Sequence, residues 1–261
     1  MLLAIDVGNT NIVLGVFDSG RLTKSWRLAT FRERTADEMG ILVRQLFESN
    51  RLDASRLKGI ILSSVVPPLT RTMEDMARHY FDREALTVDP ATNSGMPVLY
   101  KPPSDVGADR VVNAVAAYEL YGRANHNPLI VVDFGTATTF DAISAAGEYV
   151  GGVICPGIGI SADALFQRAA RLPRVDVRKP PSIVGQTTVT SMQAGLFFGY
   201  VSMVDGIVNR MRAELPSGDT AGCIATGGMA DILAGETSSI QRVEPDLTLL
   251  GLKLIWERAG G

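Results

Sequence analysis

A strand that ends on Asp, passes one residue, turns on Gly and continues with hydroxyl or amide side chains occurs twice in this chain. The copies are Asp6-Val7-Gly8-Asn9-Thr10-Asn11 and Asp133-Phe134-Gly135-Thr136-Ala137-Thr138-Thr139, 127 positions apart in 261 residues. The strand context repeats with them. Residues 2–7, 11–17 and 22–28 read as three strands joined by the turns Gly8-Asn9 and Asp18-Ser19-Gly20, and residues 129–133, 138–143 and 148–154 read as three more, with Ala146-Gly147 at the second turn. A corner, two hairpins and then α/β alternation, met twice, predicts two related domains.

Helices follow each set of strands. Thr35-Ala36-Asp37-Glu38 has the form of a capping box, and Met39, Leu42, Leu46 and Phe47 behind it fall at helical spacing. Residues 59–66 read as a buried strand stopped by Pro67-Pro68, with a helix over 69–80 and another over 111–120. In the second half the pattern predicts helices over 161–170 and 189–212, a short strand over 223–226 meeting Gly227-Gly228, and a closing amphipathic helix over 247–258. The Pro-rich basic stretch 171–187 is the one long irregular segment.

Composition narrows the chemistry. Lys plus Arg number 25 against 28 Asp plus Glu, a net charge of −3, so no broad positive field is present to gather a nucleic acid. Only His79 and His126 are available, which starves histidine metal sites and Ser-His-Asp chemistry of material. Cys155 and Cys223 lie in no metal or redox spacing and read as small core residues of a reduced, cytoplasmic protein. No apolar run approaches the ~20 residues that span a bilayer, so no membrane segment is expected. Acid and base work falls to carboxylates.

The repeated corner supplies what a phosphate chain needs: inward backbone N–H groups, no obstructing side chain, and polar donors alongside. The strand-end carboxylate repels phosphate, so its natural partner is a cation, hydrated Mg2+ in the case of Asp6. Each corner alone also reads as a capped hairpin turn. Two copies favour a clamp, since a turn needs no counterpart and a phosphate grip from both sides does. Neither GxxxxGK[ST] nor a strand-to-helix GxGxxG is present, which removes Walker and Rossmann readings. Gly107-Ala108-Asp109-Arg110, ahead of the 111–120 helix, places a carboxylate beside a guanidinium, an arrangement able to orient a hydroxyl and hold an anion, or simply an N-terminal Asp with an adjacent Arg. The positive charge of Arg110 would favour the ionised form of Asp109.

Paired Asp-Gly-Thr-type loops resemble the acetate and sugar kinase, heat-shock chaperone and actin superfamily. Within it, DVGNTN at 6–11, GADR at 107–110, DFGTATT at 133–139, GGVICPG at 151–157 and TTVTSMQAG at 187–195 together resemble type III pantothenate kinases over essentially the whole chain. The resemblance implies an α/β fold of two duplicated ribonuclease-H-like domains, 1–118 and 119–261, with mixed five-stranded sheets flanked by helices and an active-site cleft between them, the last helix packing back on the first domain.

It also implies a reaction, transfer of the γ-phosphoryl of ATP to the primary hydroxyl of pantothenate, the first step toward coenzyme A. Asp6, Val7, Gly8, Asn9, Thr10, Asn11, Ile12 and Val13 match the first phosphate loop, with Asp6 near Mg2+, and Thr136 matches a further ATP contact. Asp109 matches the general base. Tyr100, Gly107, Ala108, Asp109, Arg110 and Thr188 match the pantothenate site, and Asp133 the ligand of an activating monovalent cation, K+ or NH4+. A cytoplasmic homodimer is implied, with Thr188 acting within one chain or across the pair. The residues alone leave open a related small-alcohol kinase, a phosphohydrolase, or a nucleotide-binding regulator without transfer.

Overall fold

The computed structural model describes residues 1–261. The chain divides into two compact units, residues 1–116 with 247–261, and residues 117–246. In the first, β1 (Leu2–Val7), β2 (Asn11–Asp18) and β3 (Arg21–Ala29) form an antiparallel meander, followed by α1 (Ala36–Ser49), β4 (Gly59–Ser64), α2 (Pro67–Phe81), β5 (Ala85–Thr87) and α3 (Ala108–Ala117). β4 runs parallel to β1, β5 runs parallel to β4, and the sheet order is β3-β2-β1-β4-β5.

The second unit repeats this plan. β6 (Leu129–Phe134), β7 (Ala137–Ile143) and β8 (Tyr149–Pro156) form the meander. α4 (Ile158–Arg168), α5 (Thr188–Glu214), β9 (Gly222–Thr226), α6 (Ala230–Ala234) and β10 (Arg242–Val243) follow. Its order, β10-β9-β6-β7-β8 with β9 and β10 parallel to the first strand, is that of the first sheet listed from the other edge. The chain ends in α7 (Leu247–Arg258).

Alternation along the strands sets what each sheet face packs against. In the first unit Leu3, Ile5, Val7, Ile12, Leu14, Val16, Ile60 and Leu62 face Met39, Val43 and Phe47 of α1 and Leu69, Met73 and Met76 of α2. Each such side chain, fully buried, stabilises by roughly 1.5–3 kcal/mol. The opposite face meets α7, which lays Leu249 over Gly15 and Trp256 over Gly59. In the second unit Ile130, Val132, Phe134 and Phe140 pack against Leu196, Phe197, Tyr200 and Val204 of α5. Cys223 is part of this core, where burial pushes its thiol up to about 12 and leaves it unreactive.

Several boundaries differ from those read in the sequence. Pro67 and Pro68 open α2 as well as ending the strand, because a helix's first turn has no use for their missing N–H groups. α3 begins at Ala108, so Asp109 and Arg110 lie on the helix and not in a turn before it, and a single π turn over Tyr118–Gly122 replaces its expected end. α4 starts at Ile158, three residues ahead of the expected Ser161, with Gly157 as N-cap. The Thr35 capping box is present, with Thr35 Oγ1 accepting from the Glu38 N–H at 3.2 Å and the Thr35 N–H donating to Glu38 Oε2 at 2.8 Å. No helix is long and apolar enough to cross a membrane.

Candidate active site

The first loop hangs between β1 and β2. Asp6 lies on the face opposite the α1/α2 core, in register with Val13 on one side and Ser63 on the other. The Gly8 N–H donates to Asn11 O at 2.9 Å and closes the turn. The segment just past β3 then holds the loop from outside: Thr30 Oγ1 donates to Gly8 O at 2.7 Å, the Thr30 N–H to Thr10 O at 2.9 Å, and Arg32 Nη2 to Asn9 Oδ1 at 3.3 Å. Asn9 and Thr10 are left exposed at the tip. Thr30 and Arg32 were not singled out from the sequence, although β2–β3 pairing sets Asn11 opposite Ala29 and so carries residue 30 to the loop.

In the second unit Asp133 again lies opposite the core face, in register with Thr139 and Thr226. The Gly135 N–H donates to Ala137 O and the Gly157 N–H to Thr136 O, each at 3.1 Å. A Cβ on Gly157 would overlap the Thr136 and Gly135 carbonyls, so the start of α4 approaches this loop closely only because residue 157 has none. Gly227 has φ +92°, and a Cβ there would stand 2.5 Å from Asp133 Oδ1 and 2.7 Å from the Phe134 backbone. Gly227 is thus the cradle of Asp133. The hairpins differ by one residue: Asp6 pairs with a residue seven positions on, Asp133 with one six positions on.

Asp109 sits in the first turn of α3, where the helix N-terminus favours a carboxylate. Its Oδ1 accepts from the Arg110 N–H at 2.8 Å, and a Cβ on Gly107 would stand 2.6 Å from the same oxygen, so the glycine makes the room the carboxylate occupies. Val65, one residue past the end of β4, borders that space at 3.4 Å. Asp109 keeps a partly exposed edge, yet burial pushes its carboxyl above the ordinary aspartate value, and the Arg110 N–H and guanidinium only partly offset this. Arg110 does favour the ionised form, as the sequence suggests, but lost hydration, which the sequence does not show, acts the other way and is the larger of the two.

The remaining predicted positions are placed as follows. Ala108 and Arg110 are buried, and Tyr100 is half-buried in the irregular run between β5 and α3. Thr188 is exposed at the first position of α5, whose N-cap Thr187 bonds reciprocally with Thr190. A cavity of about 580 Å3 between α4 and α5 is lined mainly by Leu165, Leu172, Met192, Leu196 and Met203, with the mutually bonded Ser161 and Tyr200 hydroxyls and Ser191 at its wall. No three His, Cys, Asp or Glu side chains gather into a ready-made metal cage.

Two sheets of identical plan, each carrying an Asp-Gly corner on the face opposite its core helices, define a duplicated ribonuclease-H-like fold. A solved Baf family transcriptional activator from Campylobacter jejuni shares it with TM-score 0.62 at 20% identity, over 99% of this chain and 98% of that one. Component A of (R)-2-hydroxyglutaryl-CoA dehydratase from Acidaminococcus fermentans does so with TM-score 0.56 at 14% identity, over 100% and 99%. The family model of type III pantothenate kinases matches residues 2–210, and the type III pantothenate kinase of Anaeromyxobacter sp. (strain K) is 57% identical over 258 residues, 99% of each chain. The chain belongs to the type III pantothenate kinase family.

Proposed function

We propose that this chain transfers the γ-phosphoryl group of ATP to the primary hydroxyl of pantothenate, giving 4'-phosphopantothenate and ADP on the way to coenzyme A. The observation that carries the reading is the Asp109 carboxylate, fixed in the first turn of α3 in space that Gly107 leaves open, with a raised affinity for protons. Phosphoryl transfer has a loose transition state, so alignment and charge neutralisation matter most. Asp109 holds the hydroxyl in line and takes its proton as the oxygen–phosphorus bond forms and the bond to ADP breaks. Ala108, Gly107, Arg110, Tyr100 and Thr188 are the pantothenate contacts, Arg110 serving as a fixed cation for an anionic substrate. Asp6 to Val13 and Thr136 are the ATP contacts.

The chain fits the cations this chemistry uses. Single carboxylates without a surrounding cage suit Mg2+, which keeps several waters and binds through one or two carboxylates and substrate phosphates; it would supply charge for the leaving phosphates. Asp6 is its holder. Asp133, in a cradle that a Cβ on Gly227 would fill, is the holder of K+ or NH4+. The protein acts in the cytoplasm as a homodimer; the dimer is supported by large apolar side chains left exposed in the second unit, Ile154 (62%) on β8, Phe166 (45%) on α4 and Val184 (74%) ahead of α5.

Pantothenate-dependent ADP release, followed with ATP and Mg2+ in parallel K+ and Na+ buffers, tests the reaction. The expected result is release that requires pantothenate and runs several-fold faster in K+; release indifferent to pantothenate would overturn the proposal. Sedimentation of the same sample at twice the monomer mass is the expected result for the dimer. Thr30→Val removes the donor to Gly8 O and should cost about 1 kcal/mol in unfolding free energy. It should also raise KM for ATP several-fold with a smaller change in kcat, as measured by steady-state kinetics.

A further inference from the structure

Along the α7-covered face of the first sheet, β1 and β4 pair Leu2 with Gly59, Ala4 with Ile61 and Asp6 with Ser63. The face is apolar until the carboxyl ends of these two parallel strands, where both members turn polar together. Strand carboxyl ends are where ligands of open α/β sheets gather. Ser63 is 0% exposed, and its Oγ has no hydrogen-bond partner. A buried hydroxyl left in that state costs about 1–3 kcal/mol, a cost alanine in the same place would not carry. Its neighbour Ser64, on the other face, shows the ordinary alternative: Ser64 Oγ accepts from the Val66 N–H at 3.2 Å and from Thr70 Oγ1 at 2.8 Å, tying β4 to the start of α2.

We infer that Ser63 is a positioning residue for the divalent cation, its hydroxyl donating to the Asp6 carboxylate, or to a water of the cation that Asp6 holds, once metal and nucleotide are bound. Register partners on adjacent parallel strands leave the sheet on one side, so a rotation about the Ser63 Cα–Cβ bond suffices to bring Oγ to bear, at no cost in backbone movement. Hydrogen bonds to a metal-holding carboxylate fix its orientation and are commonly worth 10–100-fold in metal affinity. The inference rests on the proposed role of Asp6.

Its test is the dissociation constant of Mn2+·ATP from the full chain, read by water-proton relaxation, beside that of ATP alone in EDTA. Ser63→Ala should weaken Mn2+·ATP binding by about tenfold, leave metal-free ATP binding within twofold and keep or raise the thermal midpoint; Ser63→Thr, which retains the hydroxyl, should restore the affinity. Mn2+·ATP binding within twofold of wild type in Ser63→Ala overturns the inference, and a lowered midpoint with unchanged affinity does so by assigning Ser63 to the fold alone. Asp6→Asn separates the two readings. If Asp6→Asn weakens Mn2+·ATP binding and Ser63→Ala does not, only the inference about Ser63 fails; if neither does, the role given to Asp6 fails first.

Discussion

Asp109→Asn is expected to abolish nearly all turnover and at the same time to make the protein harder to unfold at neutral pH. The loss would follow from removing the proposed proton acceptor, an effect of roughly 10²- to 10⁴-fold in kcat for a positioned base. The gain in stability follows from burial, which raises the Asp109 carboxyl above its ordinary value. A carboxyl whose folded value lies above its unfolded one favours the native state fully only below the unfolded value, and that contribution is lost as pH rises through the folded value. At pH ~7 wild type therefore bears a desolvation, only partly offset by Arg110, that asparagine does not. The thermal midpoint of Asp109→Asn should exceed that of wild type there, and the difference should shrink as pH falls toward ~4. The acid limb of wild-type kcat should report a value above that of a free aspartate. A variant with more than a tenth of wild-type turnover would remove Asp109 from the role of base.

Gly227→Ala is the larger structural lesion. Residue 227 lies at φ +92°, a conformation that costs a side-chain-bearing residue of order 1–3 kcal/mol. The new methyl also meets Asp133 Oδ1 and the Phe134 backbone at 2.5–2.7 Å, so strain and overlap act together on the residue proposed to hold the monovalent cation. The expected result is a loss of ~2–4 kcal/mol in denaturant unfolding together with loss of the K+ preference. Gly235→Ala is the matched control, because nothing lies within 4 Å of that position, and it should stay within ~0.5 kcal/mol of wild type. Retention of the K+ preference in a folded Gly227→Ala would separate Asp133 from the cation.

These two residues show which parts of the site a sequence can carry. The corners at Asp6 and Asp133 are local: a strand end, a glycine and donors in consecutive positions, readable from pattern alone. The meanders were legible for the same reason, since apolar and β-branched runs of 6–9 residues between Gly-bearing turns declare themselves. β5 and β10, three and two residues long, are too short to show alternation and form only because β4 and β9 offer an edge. The raised carboxyl of Asp109 was not legible, because Arg110 is visible in the sequence and desolvation is not. Thr30, Ser63 and the contact of Gly227 with Asp133 depend on register and chain crossing, which place residues 22, 57 and 94 positions apart side by side.

The one-residue difference between the hairpins means that the halves, though built to one plan, are not spare parts for each other. Grafting the six residues 6–11 over 133–138 would keep the chain length and bring in the motif, but would ask Asp133 to pair seven positions on, with Phe140, in place of Thr139. Side chains alternate with a period of two, so that slip sends Phe140 out of the core and Thr139 into it. Each corner is tuned to its own sheet. In a chain whose halves share one plan, neither corner can be rebuilt from the other.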